Sequence, residues 1–161
     1  MQWTSNIQHP IYAYTLTAHG RALQTMTFNY QKNTWTALCE SESGAFVIDR
    51  EGFFKNKLVL KENDVTIGRL YAKNWYSQNG IADIKGEKLL YRIVNNPLAE
   101  IQFLHHAHLL IACGIKLHNH HIEPAITTAT HFDKHPFASY LAALSWYLLL
   151  PMMQEDTTLM I

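Results

Sequence analysis

Apolar and polar positions alternate along most of this chain, and the alternation stops near its end. The stretch "IYAYTLTA" (11–18) alternates and ends at His19-Gly20. In "ALQTMTFNY" (22–30), Leu23, Thr25, Thr27 and Asn29 fall on one face and Met26, Phe28 and Tyr30 on the other. "TWTALCE" (34–40) alternates around Trp35, Ala37 and Cys39, and "AFVIDREG" (45–52) stops at Glu51-Gly52. "KLVLKEND" (57–64) meets "VTIGRLYAKNW" (65–75) at a turn containing Glu62-Asn63-Asp64. "NGIADIKGE" (79–87) holds Asn79-Gly80 and Lys85-Gly86, and "KLLYRIVNNP" (88–97) ends at Asn95-Asn96-Pro97. "AEIQFL" (99–104) and "HLLIACGIKL" (108–117) complete the series. Residues 118–136 are polar, hold two prolines, and read as loop with one short strand at 125–130. Short period-two runs broken by turn residues at such intervals predict an antiparallel barrel or sandwich.

A faint repeat runs beneath this pattern. "LTAHGRALQTMTFNYQ" (16–31) and "LKENDVTIGRLYAKNW" (60–75) superpose at an offset of 44 residues, and "FVID" (46–49) and "YRIV" (91–94) follow at nearly the same offset. Each unit reads as a β-meander of about four strands, which suggests a sheet built by duplication. The aligned identities are few, so coincidence between two pieces of β-rich text stays open as the other explanation.

The run "FASYLAALSWYLLLPMM" (137–153) has a different character. A spanning helix needs about 20 predominantly apolar residues. Here there are seventeen, counting Ser139, Tyr140, Ser145 and Tyr147, with Pro151 in the last turn and only Lys134 nearby as a flanking cation. A tail anchor is therefore short by about a turn. Steps of three and four from Ser139 reach Ala142, Ala143, Trp146 and Leu149-Leu150, so no polar stripe appears. A helix that is apolar all round is buried on every side. A closed barrel of about twelve strands is too wide for its own side chains to fill, and a helix about 10–12 Å across suits its lumen. The pattern predicts a helix at about 134–152 that fills such a barrel. Asp133 or a neighbour would cap it, with Pro136 at an early turn position.

A β-rich chain that ends in one wholly apolar helix resembles the tubby-like superfamily, which comprises tubby C-terminal domains, LURP-one-related proteins and phospholipid scramblases. The resemblance runs from about Gln8 to Met153 and rests on "TIGRLYAKNWYSQNGIADIKGEKLLYRI" (66–93) followed by the apolar run. It implies a twelve-stranded barrel around a central hydrophobic helix. It also implies docking on phosphoinositide headgroups through Lys and Arg on neighbouring strands. Lys55 and Lys57 share a strand face, as do Arg69 and Lys73, and Arg92 lies on a later strand. None of the five matches a particular family position. The acidic calcium-binding segment associated with scramblases has no counterpart here.

Composition narrows the function further. The 161 residues carry thirteen basic and thirteen acidic groups, so no whole-molecule field draws in nucleic acid or anionic membrane, and only a local patch could do so. Cys39 and Cys113 have no bridge or zinc-knuckle spacing, and "MQWTSNIQHP" has no basic stretch followed by an apolar one. Two thiols and no export signal point to a reducing, cytoplasmic setting. Both cysteines fall in apolar strand text, where an inert buried thiol is the expectation. No phosphate-cradling glycine loop, paired-histidine zinc helix or nucleophile elbow is present, so no enzyme is predicted.

Of ten histidines, seven lie in "HHAHLLIACGIKLHNHHIEPAITTATH". Alternate strand residues point one way, so His106 with His108, and His118 with His120, each offer two imidazoles to a metal of unknown identity. One strand between them sets the pairs about 30 Å apart, too far for a shared site. The alternative is that histidine-rich turns simply end strands on a surface short of charge.

The expectation is one domain over 1–161, cytoplasmic and peripheral at the membrane. It would be a non-enzymatic binding module for an anionic lipid headgroup or a protein partner. Two alternatives are carried forward: a metal-binding protein using His105–His121, and a tail-anchored protein using 137–153.

Overall fold

The computed structural model describes residues 1–8, 11–31, 34–53, 57–72, 78–95 and 98–158. Twelve strands follow one another: β1 (Gln2–Gln8), β2 (Ile11–Ala18), β3 (Arg21–Gln31), β4 (Thr34–Ser41), β5 (Gly44–Glu51), β6 (Lys57–Glu62), β7 (Val65–Ala72), β8 (Asn79–Ile84), β9 (Glu87–Asn95), β10 (Ala99–His105), β11 (His108–His118) and β12 (His121–Thr128). A 3-10 turn (Phe132–Lys134) and one helix, α1 (Ala138–Thr158), close the chain. The fold class is the expected one: a mainly β chain whose strands form a single antiparallel, barrel-type sheet in chain order, with one C-terminal helix.

Two compact units can be distinguished, Met1–Tyr71 with Ile81–Lys88, and Ala72–Gly80 with Leu89–Ile161. In the first unit the alternation of the sequence becomes a two-faced sheet. Leu16, Met26, Ala37, Cys39, Ile48 and Leu60 are buried on the core face, in register across Met26↔Cys39, Ala37↔Ile48 and Ile48↔Leu60. A slip of one residue would turn each of these outward, which specifies the register strongly. Gly68, opposite Leu60, leaves room there: a β-carbon would come within 3.1 Å of both the Leu60 side chain and the Asp83 carbonyl.

β1 departs from the sequence reading. "QWTSNIQ" is too polar to announce a strand, yet it pairs with β2 along its length and buries Trp3 against the register partner Leu16. The short strand expected at 125–130 is also longer, and pairs with β11 from Ile111↔Thr128 to His118↔His121.

The repeat has a structural counterpart. In the β2–β3, β6–β7 and β10–β11 hairpins the register shifts between Leu16/Thr17, Leu60/Lys61 and Phe103/Leu104, leaving Leu23, Ile67 and Leu110 as the unpaired extra residues. These three bulged positions are spaced by 44 and 43 residues. The freed carbonyls of Ile67 and Leu110 are taken by the N–H of Lys85 (2.7 Å) and Ala129 (2.9 Å). Each bulge follows a two-residue turn with both residues left-handed: His19-Gly20, Asn63-Asp64 and His106-Ala107. That is the turn whose twist matches the flanking strands.

In the second unit α1 packs on β10 and β11. Eight consecutive residues, Tyr140 to Tyr147, are buried, so two full turns are covered on every face, as an apolar-all-round helix requires. No helix among the described residues is long and apolar enough to cross a membrane.

The ends of α1 differ from the expected 134–152. Phe132 is buried in the 3-10 turn that His131 opens in a left-handed conformation; this turn ends at Lys134, the expected first residue of the helix, which begins instead at Ala138. Pro136 thus precedes the helix. Asp133 does not cap it; instead the Phe137 N–H donates to Nδ1 of His135 at 3.1 Å, and the Phe137 carbonyl accepts from Leu141 at 2.9 Å. At the other end the helix runs through Pro151, which removes one backbone donor without ending the element.

Candidate functional site

The outward face of β5–β8 in the first unit carries the most concentrated charge. Asp49 faces Val59, Glu51 faces Lys57, and Val59 faces Arg69 in register, so these residues share one surface. Lys61 joins that surface and bridges Glu51 at 2.8 Å and Asp49 at 3.2 Å. Its ammonium is held above its ordinary pKa, first by the hydrogen bond to Glu51, with burial opposing and Asp49 adding to the rise. Lys61 thus occupies both carboxylates. Lys57 and Arg69 remain exposed cations with no ion-pair partner among the described residues.

Arg69 also lines an open cleft of about 380 Å³, with Thr66, Ile67, Gly68, Tyr71 and Asp83. Its volume is in the range that small ligands occupy. Asp83 sits on the neighbouring strand, whose following residue Lys85 donates to the Ile67 carbonyl. The cleft therefore offers one guanidinium, one carboxylate, a threonine hydroxyl and a half-exposed tyrosine, with no ion pair between Arg69 and Asp83.

Of the five predicted cations, Lys57 and Arg69 fall together on this face. Lys55 and Lys73 lie outside the described residues. Arg92 belongs to the second unit. It is paired with Gln102, on the face of β9–β10 opposite to Ile101 and Phe103, and Gln102 donates to Glu100 at 2.6 Å. Thr66 and Asp83 were missed by the sequence reading, because only the β6–β7–β8 register brings them beside Arg69.

The histidines do not form the expected strand-face pairs. His106 lies in a left-handed turn (φ 46°), not on the strand with His108, and His120 does the same (φ 63°) beyond His118. A turn residue and a strand residue two positions apart do not project in parallel, so the spacing argument fails at both ends of β11. His106 stacks on His105 with ring centroids 4.1 Å apart, and His118 approaches Glu123 at 3.9 Å. Among the described residues no three of His, Cys, Asp and Glu are placed to hold a metal ion.

Both thiols are buried and free. Burial pushes Cys113 up to about 12, against a lowering hydrogen bond with Ser145 and a further rise from Glu100. Cys39 is raised by burial further still. Neither has the lowered pKa that a nucleophilic thiol needs.

At one edge of the first unit the core face ends in rings. Trp35 meets Tyr30, Tyr12 and Phe28 at centroid distances of 5.2, 5.5 and 6.3 Å, and Tyr14 meets Phe28 edge-on at 5.8 Å. Nothing in the local alternation around Trp35, Ala37 and Cys39 marks Trp35 as the centre of such a cluster.

With this geometry in view, comparison with known proteins adds no neighbour: no family model, curated protein or solved structure matches the chain.

Proposed function

We propose that the protein is a non-enzymatic docking module that holds an anionic lipid headgroup at a membrane surface. One observation carries the reading: Lys57 and Arg69 stand exposed on the same outward face, without ion-pair partners among the described residues, and Arg69 lines an open cleft. A guanidinium offers paired N–H donors that match phosphate oxygens. The tubby-like affiliation is part of this proposal; the chain-order sheet and the single C-terminal helix support it. Two free, buried thiols support a cytoplasmic, membrane-peripheral setting.

The test is flotation of untagged, detergent-free protein with phosphatidylcholine vesicles and with the same vesicles carrying phosphoinositides. Preferential flotation with the anionic vesicles is expected. Two cations near an anionic surface contribute about 1 kcal/mol each, so Lys57→Gln with Arg69→Gln should weaken it ~30-fold. Protein that stays at the bottom with both vesicles, or that floats equally with both, overturns the reading.

A further inference from the structure

All four exposed Phe, Tyr and Trp side chains of the described residues lie along one edge of the first unit. Tyr30 is 57% exposed, Trp35 43%, Phe53 94% and Tyr71 47%. Hairpin alternation brings them there. Tyr30 ends β3 opposite Trp35 at the start of β4. Phe53 follows the end of β5, where Glu51 pairs with Lys57. Tyr71 lies one step past the last described β6–β7 pair, Leu58↔Leu70, at the end of β7. The opposite edge, with the turns at His19-Gly20 and Asn63-Asp64, exposes no Phe, Tyr or Trp ring among the described residues.

The rings also straddle the sheet. Tyr30 and Trp35 continue the core face of Met26, Ala37 and Cys39, whereas Tyr71 shares the outward face with Arg69, and Phe53 sits at the turn. A single flat protein surface cannot cover side chains on both faces of a sheet edge. A fluid bilayer closes around such an edge from both sides. Rings with one polar handle, as in Tyr and Trp, suit the boundary between headgroups and acyl chains. The local charge agrees: Lys61 engages Asp49 and Glu51, which leaves Lys57 beside the edge as a cation for anionic headgroups.

We infer that this edge inserts into a lipid bilayer, with Tyr30, Trp35, Phe53 and Tyr71 entering the headgroup–acyl boundary while Lys57 and Arg69 stay at headgroup level. The inference rests on the headgroup-docking reading and adds to it the side by which the protein meets the membrane. Tyr71 joins the two, since it belongs both to the cleft and to the edge. The rings that hold Trp35 from three sides fix it in place before it inserts, so little side-chain freedom is lost on binding.

The experiment uses vesicles of phosphatidylcholine and phosphoinositide, with the phosphatidylcholine either ordinary or brominated along its acyl chains. Bromine quenches only indoles that reach the acyl boundary. Trp3 and Trp146 are buried and stay unquenched, and subtraction of the Trp35→Phe signal isolates Trp35. The expected results are quenching of Trp35 and, for Phe53→Ser, vesicle binding on the order of tenfold weaker. Phe53 is so exposed that its replacement leaves the fold intact, and circular dichroism checks this. Anionic flotation without quenching, and unchanged in Phe53→Ser, overturns the insertion edge and leaves headgroup docking standing. Absence of flotation overturns both. A self-associated species in solution that Phe53→Ser dissolves would make the edge a contact between copies, and would also overturn it.

Discussion

The ring of Tyr91 occupies the space into which a β-carbon on Gly80 would project. Both residues belong to the second unit, and the Ile93 N–H donates to the Gln78 carbonyl at 2.8 Å two residues further along the same strands. Gly80 thus has no side chain of its own on the sheet, and an aromatic from the neighbouring strand covers it. Tyr91 also tilts against Phe103 at 6.1 Å, so the ring has little room to retreat. Gly80→Ala is predicted to destabilise by about 1–3 kcal/mol through overpacking. In a Tyr91→Ala background the same change should cost much less, because the clash is gone. Urea midpoints of the four proteins in this cycle test it; additive losses would show that the ring and the glycine are independent.

Leu144 lies in the middle of the eight buried residues of α1 and is fully buried itself. Leu144→Asp places a carboxylate there with no cation to pair it. An unpaired buried charge of this kind is destabilising by about 3–5 kcal/mol, a large part of a domain's stability. We predict loss of soluble expression for Leu144→Asp. Leu144→Ala, which leaves only a cavity, should fold with a lowered urea midpoint. A soluble, natively folded Leu144→Asp would contradict the burial of this helix.

The strands and the helix were legible because their signals are local. Met26, between Thr25 and Thr27, alternates with polar residues in the text, and it is buried in the fold with Ala37, Cys39, Ile48 and Leu60 of the same period-two runs. β1 was not, since only Trp3 and Ile7 interrupt its polar run. The start of α1 was misread because the buried Phe132 draws the preceding residues into a separate 3-10 turn. The docking face depends on a non-local feature. Were Ile67 paired in regular register instead of bulged, the turn at Asn63-Asp64 would set Arg69 opposite Leu58 and on the core face. With the bulge, Arg69 faces Val59 and points outward. One bulge thus decides whether the cleft has its cation, and no periodicity in the sequence announces a bulge.

The raised thiols link stability to alkaline pH. Cys113 is pushed up to about 12 from an ordinary 9.0, and Cys39 is raised too. The unfolded chain therefore releases both protons near pH 9 while the folded chain keeps them. Folded protein then binds more protons than unfolded, so stability is full below pH 9 and falls as pH rises from there toward the folded values. Each thiol contributes a slope of about 1.4 kcal/mol per pH unit. Unfolding free energies of the parent and of Cys39→Ala with Cys113→Ala, measured between pH 8 and 10 (roughly the window in which an unfolded thiol titrates), should diverge in slope above pH 9. Parallel curves, or rapid alkylation of the folded parent, would mean that the thiols are not held protonated.

In the proposed docking role, Asp83 would set the selectivity of the cleft. Its carboxylate lines the same 380 Å³ as Arg69, and the two groups form no ion pair. A headgroup phosphate docked on Arg69 as proposed would feel a neighbouring negative charge, and the repulsion would grow with the number of phosphates the headgroup carries. At a surface-like effective dielectric, removal of one charge several ångströms away is worth on the order of 1 kcal/mol, or about fivefold. Asp83→Asn is expected to tighten binding to phosphoinositide vesicles by about that factor, and more for headgroups with more phosphates. It should weaken binding to phosphatidylserine or phosphatidylethanolamine vesicles, whose ammonium groups Asp83 can accept while Arg69 takes the phosphate. Opposite shifts on the two kinds of vesicle would place the headgroup between these two side chains. Shifts in the same direction on both would trace the effect to net surface charge and remove the cleft from the docking interaction.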